Sequence, residues 1–99
     1  MRYISVFNAK REMTDDECAL EWQEWISKCR NEVLHHGCNE IERFETFGDS
    51  PRKVFFMIDT KTPSVVDMLN QHFGKSWISE IYPVHLSQDI REDHSVIGG

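Results

Sequence analysis

The opening stretch RYISVFNAK, residues 2–10, has no polar side: Tyr3 and Phe7 would point one way, Ile4 and Val6 the other. Its density of β-branched and aromatic residues predicts a strand. Apolar residues on both faces require cover on both. The period then changes. In MTDDECALEWQEWISKCRNEVLHHG, Cys18, Trp22, Trp25, Ile26, Cys29 and Val33 recur mainly at intervals of three and four, which predicts a helix with one apolar stripe. Thr14 followed by Glu17 fits a capping box, Asp15 to Glu17 complement the helix dipole, and Gly37 supplies a left-handed stop.

NEIERFETFG reads as a second strand in which Ile41, Phe44 and Phe47 do not alternate, so a bulge is expected among them. GDSPR carries turn chemistry and leads into KVFFMIDT, whose continuous apolar run from Val54 to Ile58 again needs cover on both faces. Thr62 as N-cap and Pro63 in the first turn open a second helix through SVVDMLNQHFG. Its inner face is Val65, Val66, Leu69 and Phe73, with Met68 beside them. SWISEIYPVHL is the fourth strand, with Ile78, Glu80, Tyr82, Val84 and Leu86 on one side and His85 on the other. Pro83 marks an edge strand or a bulge.

The order strand, helix, strand, strand, helix, strand predicts an α+β, ferredoxin-like βαββαβ sandwich. Such a fold sets two helices on one face of a four-stranded antiparallel sheet. The other face stays apolar and uncovered, which predicts dimerisation through it. One domain over residues 1–88 and a polar tail over 89–99, ending in Gly98-Gly99, account for the chain.

Charge narrows the partners. With 17 acidic against 11 basic residues and a net charge of −6, the chain lacks the clustered Lys and Arg that nucleic-acid binding rests on. No apolar run approaches the roughly 20 residues that span a bilayer, so no membrane partner is expected. Cys18, Cys29 and Cys38 are odd in number and show no CxxC spacing. Together with the absence of a secretory pattern after Met1-Arg2, they set the expectation of a reducing, cytoplasmic location.

Over residues 2–86, and most visibly in HFGKSWISEIYPV, the order and spacing resemble the short members of the dimeric α+β barrel superfamily of ferredoxin-like proteins. The resemblance implies two sheets packed face to face around a cavity. The superfamily includes antibiotic-biosynthesis monooxygenases, muconolactone isomerases and haem-degrading enzymes. It is specific for fold and leaves activity open.

Several residues are candidates for a site. His72 and His85 would serve as acid or base near neutral pH; structurally, His72 would cap helix carbonyls and His85 would sit at a solvated strand edge. Haem-degrading members use an Asn, a Trp and a His. Asn8 matches by position, but His72 precedes Trp77 where those proteins have the reverse order, so no haem and no other cofactor is expected. Asn8, Trp77, Glu80 and Tyr82 are the ligand-binding candidates. Glu80 on a covered face would need a ligand or a cation such as Arg43 or Lys53. In HHGC, residues 35–38, adjacent histidines on a helix diverge by about 100°, so no metal is expected. Trp22 and Trp25 should pack on the sheet, Cys18 and Cys29 within the core, and Cys38 should be the exposed thiol.

The expected function is a homodimer that binds a small, largely apolar molecule in the barrel cavity. One alternative is a cofactor-independent monooxygenase or isomerase, with His72 or His85 as acid/base and Tyr82 orienting the substrate. Another is a structural dimer or higher homo-oligomeric ring whose cavity is filled by Phe55, Phe56 and Met57.

Overall fold

Strands β1 (Arg2–Ala9), β2 (Cys38–Glu45), β3 (Lys53–Thr60) and β4 (Trp77–Val84) form one antiparallel sheet in the order β2-β3-β1-β4. The computed structural model describes residues 1–46, 48, 51–85 and 87, so Phe47, Leu86 and the expected tail over 89–99 lie outside the described residues. Two helical segments join β1 to β2 and β3 to β4, and both pack on the same face of the sheet. This is the ferredoxin-like α+β sandwich that the element order predicts.

The long helix starts as its sequence dictates. Thr14 Oγ1 accepts the Glu17 N–H at 3.2 Å, and the Glu17 carboxylate accepts the Thr14 N–H at 3.1 Å. Arg11 closes on the same carboxylate, which together with the Thr14 contact holds Glu17 at about 2, below the usual carboxylate range. Beyond this cap the helix is not uniform. It is α-helical over Asp15–Glu24, π-helical over Trp25–Cys29, and α-helical again over Arg30–His35. The Arg30 N–H donates to the carbonyl of Trp25, five residues back. Gly37, at φ 92°, ends it.

The π turn decides which side chains face inward. Glu21, Trp25, Cys29 and Val33, four apart each time, are all buried. In an ordinary α-helix each such step would rotate the side chain about 40° further round, and the wider turn takes up that drift. Trp22 and Ile26, expected inside the apolar stripe, are exposed instead, and Cys18 is half-buried.

The core lies between this helical layer and the inward residues of the strands. Phe7 stacks on Phe73 with ring centroids 4.2 Å apart, Phe56 meets Trp25 at 5.0 Å, and Phe73 meets Trp77 at 5.0 Å. The second helix runs over Ser64–Phe73. Its N-cap is Pro63, one residue after the expected Thr62, and carries no side-chain cap; the Thr62 hydroxyl accepts the Ser64 N–H at 3.3 Å. Gly74, at φ 69°, stops it.

Two local expectations are corrected. The register shift in β2 falls between Cys38 and Glu40, at the start of the strand, so Ile41, Arg43 and Glu45 face the helices while Glu42 and Phe44 face away in strict alternation. Cys38 is buried, with its thiol donating to the Glu40 carbonyl at 3.2 Å, and burial pushes its pKa up. The half-buried Cys18 is the more accessible thiol. Among the described residues, no helix is long and apolar enough to cross a membrane.

Candidate functional site

The face of the sheet away from the helices is set by strand alternation and register. One row across it runs Phe44, Phe55, Val6, Glu80; the next runs Glu42, Met57, Ile4, Tyr82; a third holds Lys53, Asn8 and Ile78. Phe44, Met57, Ile78 and Tyr82 are 52, 40, 54 and 50% exposed, and Ile4, Val6, Phe55 and Val84 are half-buried. Four strands thus contribute to one continuous apolar surface, which is the kind that marks an interaction or ligand site.

Polar groups are interleaved with it, Glu42, Lys53, Asn8 and Glu80 standing in the same rows. The Tyr82 hydroxyl donates to Glu80 Oε2 at 2.5 Å, and this bond to a carboxylate raises the phenol's pKa. Glu80 is therefore partnered by Tyr82 rather than by Arg43 or Lys53. Asn8 lies on the same face, two rungs along β1 from Val6, the partner of Glu80. His85 is exposed just beyond the end of β4.

His72 and Trp77 are elsewhere. Trp77 pairs with Ala9 on the helix-covered side and is buried against Phe73. His72 lies in the helical layer, 4.8 Å from the Phe73 ring and 6.1 Å from that of Trp25. The sheet therefore separates His72 and Trp77 from Asn8, Glu80 and Tyr82, and the trio Asn8, Trp77 and His72 does not share a surface.

What the structure adds is an ionic cluster on the covered side. Arg43 Nη1 donates to Glu21 Oε2 at 2.8 Å, its Nη2 bonds both Glu21 Oε1 and Glu45 Oε1, and His72 Nε2 lies 2.7 Å from Glu21 Oε2. The side chains of Glu21, Arg43 and His72 are 8, 6 and 5% exposed. The guanidinium sits 5.1 Å from the centre of the Trp22 ring, with Trp25, Phe56 and Phe73 within 5.9 Å. Burial alone would raise the pKa of Glu21, but the hydrogen bonds from Arg43 and His72 outweigh it and hold the carboxyl at about 2. Alternation in β2 and the four-residue spacing from Glu21 to Val33 were the sequence signals of this cluster.

Above it, a cavity of about 670 Å³ opens between the two helices, with His72 in its lining. The backbone of His36 closes the long helix, and its Nδ1–H donates to the Glu32 carbonyl at 2.9 Å, an ordinary C-terminal cap.

No protein-family model matches the chain, and no curated protein does. A solved structure that does match is a proposed antibiotic biosynthesis monooxygenase from Deinococcus radiodurans, with a TM-score of 0.52 over 87% of this chain and 94% of that one. At 9% identity the likeness carries the fold alone, the ferredoxin-like α+β sandwich.

Proposed function

We propose that this protein is a cytoplasmic homodimer in which two open sheet faces pack together and enclose a small, largely apolar molecule. The observation that supports this reading is the aligned apolar surface of Phe44, Phe55, Met57, Ile4, Val6, Ile78 and Tyr82, which one layer of helices leaves uncovered. Two copies related by a two-fold axis bury such a face against itself with the fewest new requirements. Three unpaired cysteines suit a reducing compartment. Binding needs no metal or cofactor in this reading.

A second reading, a cofactor-independent oxygenase or isomerase, is favoured by the hydrogen-bonded Glu80–Tyr82 pair on the open face. A carboxylate beside a phenol could move a proton on an enclosed substrate. His85, next along the chain from β4, is the histidine available to it, because His72 lies across the sheet.

Sedimentation velocity tests the association. The expected result is a dimer at micromolar concentration that becomes monomeric in the Phe55→Lys/Met57→Lys variant with helical circular dichroism retained. A wild-type monomer at that concentration would sink the proposal. If a turnover is found, its loss in Tyr82→Phe and His85→Ala dimers separates catalysis from binding.

A further inference from the structure

The cavity between the helices lies on the layer opposite the open face, so it stands apart from the function proposed above. Glu24, Lys28 and Glu32 of the long helix and Met68, Gln71 and His72 of the second helix line it. Two features suggest that it is more than a gap in packing.

One is the state of His72. The Glu21 carboxylate, ionised at neutral pH, can only accept, so Nε2 of His72 carries a proton and donates to it at 2.7 Å. Among the described residues Nδ1 has no protein partner, which leaves it for whatever occupies the cavity. An imidazole held by a carboxylate in one tautomer and one orientation is the arrangement that binding and proton-transfer sites use. A buried Arg–Glu–His cluster is also weak as a purely stabilising device, since well-packed apolar residues often do as well. The other feature is the wall. Cys29, the last residue of the π turn, lines the cavity, and π turns inside α-helices are frequent at functional sites.

The lining chooses the ligand. Glu24 and Glu32 outnumber Lys28, so the carboxylates and the ammonium group of the lining present a net negative charge to an anion. Met68 offers an apolar wall, and the Nε2–H tautomer of His72 presents an acceptor at Nδ1. We infer that this cavity binds a small uncharged molecule bearing a hydroxyl group, whose O–H donates to Nδ1 of His72. Its volume lies within the range of about 300–1,000 Å³ typical of small-molecule sites.

Phenol and benzoate are the probes, titrated near neutral pH into the isotope-labelled full chain. Long-range proton–nitrogen correlation spectra read the imidazole and amide spectra read the backbone. The expected result is an Nε2–H tautomer whose Nδ1 resonance moves saturably with phenol, together with the amides of Lys28, Met68 and Gln71. Benzoate should bind at least about tenfold more weakly, a difference of about 1.4 kcal/mol. Gln71→Trp, which fills the cavity from an exposed position and keeps both partners of the His72–Glu21 hydrogen bond, should abolish the phenol response and leave the tautomer unchanged. The inference is overturned by an Nδ1–H tautomer, by phenol shifts confined to open-face residues such as Met57, by equal binding of benzoate, or by a phenol response that survives Gln71→Trp.

Discussion

Phe55 and Phe56 are neighbours on β3 with opposite fates. Phe56 is buried among Trp25, Phe7 and Phe73, whereas Phe55 stands half-buried on the open face in a row with Phe44 and Val6. The polar groups divide in the same way. The covered face hides the Glu21–Arg43–His72 cluster among aromatic rings, while the open face carries the solvent-exposed Glu80–Tyr82 pair. Apolar character alone does not say what covers a residue. Alternation assigns the face, and the helices cover only one.

The largest effect should come from the core side of this pair. Phe56→Ala should cost about 3–5 kcal/mol in urea unfolding, whatever the protein concentration, because it opens a cavity in the chain's own core. Phe55→Ala should instead lower stability by an amount that depends on protein concentration, because it acts through association. Equal, concentration-independent losses at both positions would erase the distinction between the faces.

Arg43→Met tests the covered cluster. It leaves Glu21 buried with His72 as its remaining partner, and losing one member of a buried ion pair costs about 3–5 kcal/mol. A denaturation midpoint unchanged from wild type would mean that the cluster is not buried in solution.

Acid gives a smaller, graded effect. The carboxyl of Glu21 is held at about 2, below its ordinary 4.5, so its stabilisation is fully present above pH 4.5 and is lost as pH falls towards 2. The contribution is on the order of 3 kcal/mol. Unfolding free energies measured across that window should therefore fall more steeply in wild type than in Glu21→Gln. Parallel slopes would contradict the assignment, and Glu17, held low by Arg11 and Thr14 in both proteins, cancels from the comparison.

Much of the architecture is legible in particular residues. Thr14 and Glu17 announce the helix start, Gly37 and Gly74 the stops, and the two-sided apolar runs in β1 and β3 a sheet with both faces in need of cover. The alternation that puts Ile78, Glu80 and Tyr82 on one side of β4 also puts Trp77 on the other. The candidate site was less legible. Its place at a helix end makes His72 a helix cap or a catalytic group, and the structure gives it a carboxylate partner 51 residues away in sequence.

By itself the chain thus determined its elements, their order and the two-sidedness of its strands, because caps, turns and periodicity act over a few neighbouring residues. Only the tertiary structure decided that Glu21, Arg43 and His72 meet, that a π turn keeps Glu21 to Val33 on one face, and that His72 and Tyr82 are divided by the sheet. Those outcomes depend on contacts between distant segments, where many side chains settle their burial together and no short stretch specifies the result.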